Sequence, residues 1–251
     1  MSHVVILGTA NAIPDKDHEN THLAIVTDQG VILVDCVGSP SVRLGMAGIQ
    51  LQSITDIILT HFHPDHVSGV PLLLMNMWLV GREKPLRIYG LHHCLERVED
   101  VMALYHWDKW PNFFPVAFHR LPEREYIKVL ETDEIRIYSS PVRHLIPTIG
   151  IRIENPQGNG SIAYSCDTEP CPSVTRLAKD VDVLIHEATG AGAGHSSASQ
   201  AGSIARDAGA KRMLLIHYPN FGLDPETLVE QAKGTYDGEV ALAQDFMEIP
   251  I

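Results

Sequence analysis

The sequence predicts an α+β fold in which two sheets pack together with helices on their outer faces. Three observations point there. Short β-type runs dominate the early part of the chain, helix and strand alternate through its last third, and no internal repeat, low-complexity run or linker divides it. With 251 residues, 45% apolar and 20% charged, the chain has the composition of a globular protein able to bury one sizeable core. One domain over 1–251 is expected.

The opening runs HVVILG, HLAIVTD and GVILVDC are strand-like, and Asp28-Gln29-Gly30 makes a hairpin turn between the last two. A helix follows over 41–48. DIILT is a continuous apolar run of strand length that leads directly into THFHPDHVSG. Beyond it, 67–80 is apolar enough for a helix, with Pro71 in the first turn, where a missing N–H is tolerated. LRIYG is the next strand and 93–105 the next helix. EYIKVLE and EIRIYSS alternate as two strands around Thr132-Asp133. IGIRIE and SIAYSCD form another hairpin, turning at Pro156-Gln157-Gly158-Asn159-Gly160.

The last third reads as helix 172–179, strand VDVLIHE, helix 197–208, strand RMLLIHY, helix 225–233 and strand GEVALA. In 197–208, Ala198, Ala201, Ile204, Ala205 and Ala208 recur at helical spacing, so that helix buries one face, with Arg206 and Asp207 elsewhere. The stretch YHWDKWPNFFPVAF, 105–118, holds two of the three tryptophans and three of the six phenylalanines. Pro111 and Pro115 make it poor helix material; it reads as a lid over a site, a dimer contact or a satellite core.

Nineteen basic against 31 acidic residues give a net charge of −12. Such a chain repels a phosphate backbone and lacks the basic stripe of nucleic-acid binders, so a nucleic-acid partner is not expected. Cys36, Cys94, Cys166 and Cys171 show neither redox-pair nor zinc-ribbon spacing, which suits a reducing cytoplasm. The apolar run in MSHVVILG is too short for a signal peptide or membrane span.

The chemistry is concentrated in THFHPDHVSG. His61 and His63 lie two apart in an extended segment, so their side chains point the same way and reach one ion. Asp65 and His66 follow where the chain turns toward a helix, displaced along the chain to serve a second ion. HFHPDH resembles the His-x-His-x-Asp-His signature of the metallo-β-lactamase superfamily, whose fold is an αββα sandwich with a metal site at the edge of its two sheets. SPVRHLIPTIGIRI, YSCDTEP and LLIHYPN resemble, in order, that family's remaining metal-site segments. The resemblance implies a first ion held by His61, His63 and His144, a second held by Asp65, His66 and His217, and Asp167 bridging them. Nitrogen and oxygen ligands without thiolate suit two divalent ions, zinc first, with manganese or iron as alternatives.

HEATG and GHSS resemble loops of the ribonuclease Z and phosphodiesterase branch. That resemblance implies His195 as the phosphate-contacting histidine and Glu187 as its partner. His195 also precedes a helix start, where an anion is welcome. His186 reads as a support of the ligand shell, and His92, His93, His106 and His119 as structural or exposed. Ribonuclease Z enzymes that clamp transfer RNA carry a long arm, in the bacterial type between the counterparts of His144 and Asp167. Only 22 residues separate these two here, filled by two strands and a turn.

The expected function is therefore hydrolysis of a small phosphodiester or similar anionic ester by a metal-bridging hydroxide, with Asp65 handling the nucleophile's proton. An arylsulfatase-like esterase is the alternative within the class. A tRNA 3′ endonuclease is disfavoured without the arm, and a mononuclear iron dioxygenase is the rival of another class. A homodimer is an open expectation.

Overall fold

The computed structural model describes residues 2–158, 160–222 and 224–251. Met1 of the opening segment and Asn159 of the expected 156–160 turn lie outside them. The first sheet is built from β1 (His3–Gly8), β2 (His22–Thr27), β3 (Gly30–Val34), β4 (Ile54–Ile58), β5 (Leu86–Leu91) and β6 (Val116–Leu121). The second takes β7 (Ile127–Glu131), β8 (Arg136–Val142), β9 (Thr148–Glu154), β10 (Ser161–Tyr164), β11 (Val183–Glu187), β12 (Arg212–Ile216) and β13 (Glu239–Leu242). The chain then returns to the first sheet with β14 (Glu248–Pro250), beside β1. Each sheet is mixed. β14-β1-β2-β3 pair antiparallel and β3-β4-β5-β6 parallel, while β13-β12-β11-β10 pair parallel and β10-β9-β8-β7 antiparallel.

Seven helices cover the outer faces: α1 (Pro40–Met46), α2 (Pro64–Val67), α3 (Val70–Leu79), α4 (His92–Leu104), α5 (Pro172–Leu177), α6 (Ala198–Ala208) and α7 (Glu226–Lys233), counted among the described residues. Alternation along the strands produces three apolar layers. Ile6, Ile25, Val34 and Ile58 meet Ile137, Ile151, Ile185 and Ile216 between the sheets. Leu7, Leu33 and Ile57 meet Leu44, Leu73 and Leu95 under α1, α3 and α4. Leu184, Met213 and Leu215 meet Ala201, Ala205 and Val229 under α6 and α7. The α+β class and the αββα layering are those the sequence predicts.

Two local expectations need correction. The helix expected over 67–80 is two: α2 is a single turn, and Gly69 separates it from α3, with Pro71 in the first turn of α3. The break needs a glycine, because a Cβ at position 69 would lie 2.8 Å from the Val37 backbone. The aromatic stretch 105–118 ends in β6, whose start the prolines concealed. Trp107, Trp110, Phe113 and Phe118 pack against the outer core under α3 and α4, and Phe114 is buried in it. It is a satellite of that core. All four cysteines are free and buried, and no helix of the described residues is long and apolar enough to cross a membrane.

Helices α6 and α7 approach closely at Gly202, where a Cβ would meet Thr235 Oγ1 at 2.4 Å and the Ala232 carbonyl oxygen at 2.5 Å. Gly202→Ala should therefore destabilise the chain by about 2 kcal/mol in urea unfolding, as overpacking does. Intrinsic helix propensity acting alone would reverse the sign, with a gain of about 1 kcal/mol, and a stabilised variant would contradict the close packing.

His22 opens β2 buried, its Nδ1–H donating to the Asn20 carbonyl at 2.8 Å. Burial pushes its pKa down to about 4. Between pH 6.5 and 4 the folded chain thus binds fewer protons at this site than the unfolded one. The stability of the neutral ring is fully present above 6.5 and is lost as pH falls through 4. Against a His22→Gln variant, the urea-unfolding advantage of the natural chain should shrink by about 2 kcal/mol from pH 7.5 to 5. An unchanged difference would show that His22 does not titrate this way.

Candidate metal centre

The carboxyl ends of β4, β10, β11 and β12 gather at one edge of the sandwich, where open sheets present their ligand-binding loops. His61 and His63 leave β4 in extended backbone, and Pro64 starts α2, whose one turn presents Asp65 and His66. The Cys36 N–H donates to the His66 carbonyl and the Gly69 N–H to the Cys36 carbonyl, both at 2.9 Å, pinning α2 to the exit of β3. His144 lies between β8 and β9, Asp167 follows β10, Glu187 ends β11 and His217 follows β12. Asp35, Cys166 and His217 hold left-handed backbone, φ 64°, 53° and 53°. Such strain in non-glycine residues concentrates at functional sites.

Two groups result. His61, His63, His144 and Asp167 bring ligand atoms within 4.8 Å of one another, and so do Asp65, His66, Asp167 and His217. Asp167 belongs to both. Its Oδ2 lies 3.8 Å from His61 Nε2, 3.5 Å from His66 Nε2 and 3.9 Å from His144 Nε2, and its Oδ1 lies 3.6 Å from His217 Nε2. Asp65 Oδ2 is 3.4 Å from His217 Nε2 and 3.7 Å from His66 Nε2. Four donors at zinc bond lengths sit about 3.3 Å apart along the edges of a tetrahedron, so these spacings suit a small cation.

The hydrogen bonds point the same way. The Nδ1 of His66 donates to Asp35 Oδ2 at 2.7 Å, that of His144 to the Gly194 carbonyl at 2.7 Å, and that of His217 meets Thr189 Oγ1 at 2.8 Å. Their Nε2 atoms are left to face inward. Among these inward atoms, His66 Nε2, His217 Nε2 and Asp167 Oδ1 are buried with no hydrogen-bond partner. His63 Nδ1 lies 3.0 Å from His61 Nε2 and 3.1 Å from His144 Nε2. One ring N–H cannot serve both, so lone pairs converge on one point, an arrangement a cation stabilises.

Burial and neighbouring charges set the electrostatics of the centre. Burial would raise the Asp167 carboxyl, yet the charges of His217 and His66 hold it well below the usual range. Burial lowers His66, but Asp167 and Asp35 outweigh it and keep the ring well above its ordinary value. His61, His63 and His144 are pushed down, first by burial and then, for His61 and His63, by neighbouring histidines, which leaves neutral imidazoles fit to bind a cation.

Beside the two groups stands a third. The Glu187 carboxylate is fully buried and accepts from Thr168 N–H at 3.2 Å, Ser196 N–H at 2.8 Å, Thr189 N–H at 2.8 Å and His195 Nδ1 at 3.1 Å. Burial depresses the half-buried His195, but the hydrogen bond and charge of Glu187 prevail and raise it. Its ring lies edge-on to His144 and parallel to His217, centroids 4.9 and 5.9 Å away. Ser197 caps α6 in a capping box with Gln200, which fixes the loop that carries His195. His186 donates to the Glu187 carbonyl at 2.8 Å and stands outside the metal-type groups. His92, His106 and His119 are exposed, away from the centre.

All nine residues expected at the site therefore meet at one place. Asp35, Thr189 and the Gly194 carbonyl were not anticipated. Asp35 closes the apolar run GVILVDC, and an acidic residue ending a buried strand is the one sequence signal that marks it. Gly194 is required because a Cβ there would lie 2.7 Å from His144 Nδ1.

Known proteins resemble this chain in sequence and fold. Residues 31–218 match the model of the beta-lactamase superfamily domain. A ribonuclease Z of Methanothermobacter thermautotrophicus is 28% identical over 311 aligned positions, covering 100% of this chain and 97% of that protein. Human tRNase Z, short form, superposes with a TM-score of 0.79 at 25% identity over 100% of both chains. The metallo-beta-lactamase fold protein YhfI of Bacillus subtilis gives 0.83 at 22% identity over 98% of each, a likeness of fold. The matched segment contains every residue of the three side-chain groups, and the chain belongs to the beta-lactamase superfamily.

Proposed function

We propose that this chain is a two-metal hydrolase of small phosphodiesters. The observation that carries the reading is the pair of His/Asp groups sharing Asp167, with the His195–Glu187 couple beside them. Membership of the superfamily supports divalent-metal binding and ester hydrolysis, and relatives named ribonuclease Z support a phosphodiester. His61, His63 and His144 would hold one ion and Asp65, His66 and His217 the other, with Asp167 shared; the donor set favours zinc over manganese or iron. Two such ions would neutralise phosphate charge and make a water nucleophile available near neutral pH. Asp65, held as a carboxylate by His217 and His66 despite its burial, takes the proton of the attacking water. The oxygen–phosphorus bond forms as the ester bond opposite breaks, and His195 gives its proton to the departing alkoxide. Glu187 keeps the His195 ring oriented and charged.

The relatives' names make tRNA 3′ processing the second reading. Against it, the alignment to the Methanothermobacter enzyme has 311 positions for the 251 residues here, so about 60 positions of that alignment face no residue of this chain. Half of the 22 residues between His144 and Asp167 lie in β9 and β10, and the net charge of −12 disfavours a large polyanion.

A panel of bis(p-nitrophenyl) phosphate, cyclic nucleotides, aryl sulfates and a precursor tRNA, assayed with zinc- or manganese-loaded protein, tests the choice. Preferred turnover of a small phosphodiester is expected. Preferred cleavage of the precursor tRNA or the aryl sulfate would replace the substrate assignment, and one iron per chain with oxygen uptake would overturn hydrolysis itself.

A further inference from the structure

A groove of about 590 Å³ adjoins the metal centre, and His144 forms part of its wall. Small-molecule sites span about 300–1,000 Å³, so the groove has room for the organic part of an ester. From His144 it follows Leu145, Ile146 and Pro147, the apolar connection between β8 and β9, toward Ser173 at the start of α5. Leu145 packs against Gly194, whose carbonyl holds the His144 ring, so this wall also borders the loop that carries His195.

Two arginines line the groove, and their surroundings differ. Arg176 gives its Nε and Nη2 to Glu125 at 2.8 and 2.6 Å. Arg143 has only its backbone engaged, the N–H donating to Thr168 Oγ1 at 3.1 Å and the carbonyl accepting from the Glu169 N–H at 2.7 Å. Among the described residues its guanidinium has no ion pair and no hydrogen bond. Eight of the twelve arginines of this acidic chain are ion-paired, so a bare guanidinium beside the metal centre calls for a cause. The acids around it are committed elsewhere. Glu169, across a backbone bridge from Arg143, accepts from the Gly194 N–H at 2.8 Å, and Glu125 is taken by Arg176. Glu123, exposed at the groove, pairs with neither arginine.

We propose that Arg143 and this groove form a subsite for a second anionic group of the substrate, a phosphate or carboxylate carried several bonds away from the scissile phosphorus. A guanidinium keeps its charge at every working pH, and its fork of donors matches two oxygens of such a group. The apolar body between the two anions would lie along Leu145, Ile146 and Pro147. Arg143 bonds to none of the residues of the two metal-type groups, so it is a separate positive point and not a further part of that centre. The assignment rests on the reading of the chain as a two-metal phosphodiesterase and narrows its substrate to a diester with an anionic tail. Arg143 thereby selects and positions the substrate, while bond breaking stays with the residues described above.

Calorimetric binding of non-hydrolysable phosphonates to the zinc-loaded full chain tests this without reference to turnover. Plain alkyl phosphonates from propyl to hexyl are compared with bisphosphonates and ω-carboxyalkyl phosphonates of the same lengths, the last two separating phosphate from carboxylate as the tail anion. At one best length a ligand with a second anion should bind about 10–100-fold tighter than its plain counterpart, the worth of a charge-assisted hydrogen bond. Arg143→Gln, checked for folding by far-UV circular dichroism, should bind the two alike. Arg143→Lys keeps the charge without the fork and should restore part of the difference. An advantage that persists in folded Arg143→Gln would overturn the subsite. So would equal binding of plain and two-anion ligands by the natural chain, and both results would leave the two-metal reading in place. Failure of every phosphonate to bind would instead remove phosphoryl recognition at the centre itself, and the subsite with it.

Discussion

Asp167→Ala should leave a folded chain that retains less than one ion and has lost more than about 10²-fold of its phosphodiesterase turnover. Removing even an outer hydrogen-bond partner of a metal ligand costs about 10–100-fold in affinity or activity, and Asp167 is shared by both groups. The loss has an electrostatic side. Asp167 is the foremost group acting against burial to raise the pKa of His66, and His217, His61 and His144 also point at its two oxygens. Without that carboxylate, six donors remain split between two half-sites with nothing to join them. Metal analysis after dialysis, alongside bis(p-nitrophenyl) phosphate turnover, checks the prediction. Two ions retained by Asp167→Ala would remove Asp167 from the centre.

The second large effect is expected at His195. His195→Ala should lower kcat by about 10²–10⁴-fold, the range of general acid catalysis, while metal content stays at that of the natural chain. The distinction from Asp167 is the point, because His195 Nδ1 bonds to Glu187 and the ring belongs to neither of the two groups that share Asp167. A substrate whose leaving group is already a weak base, such as p-nitrophenolate, needs little protonation. It should lose less than an alkyl phosphodiester. Equal losses on both substrates would assign His195 to phosphate binding instead of proton donation.

How much of this was legible in the sequence varies with how local each signal is. THFHPDHVSG declares a metal site by itself, because four donors in six residues at a strand end have no other economical use. His144, Asp167 and His217 carry no such local signal. Each is a single polar residue shortly past the end of a strand, and only the order of four resembling segments singled them out. The structure brings Asp167 and His217 together because parallel strands β10, β11 and β12 place their carboxyl ends at one edge, and the β8–β9 connection carries His144 there, a long-range consequence that periodicity does not encode.

The fold divides similarly. Strands such as GVILVDC and VDVLIHE are continuous apolar runs and were plain. β14 is three residues of alternating exposure containing a proline, held by pairing with β1, and nothing in EIP announces a strand. Gly69 reads as one more residue of an apolar helix; the need for a glycine there appears only when Val37 is seen against it. The apolar character of α3 was legible, but which of its sides a neighbour covers is a property of packing, so its exposed face emerged only from the structure.

The central claim is two adjoining cation positions that share one carboxylate. Anomalous diffraction from crystals of zinc-loaded protein, recorded on both sides of the zinc absorption edge, tests it most directly. Two peaks are predicted, one among His61, His63 and His144 and one among Asp65, His66 and His217, each within bonding distance of Asp167. A single peak, or two peaks of which one lies away from Asp167, would contradict the account.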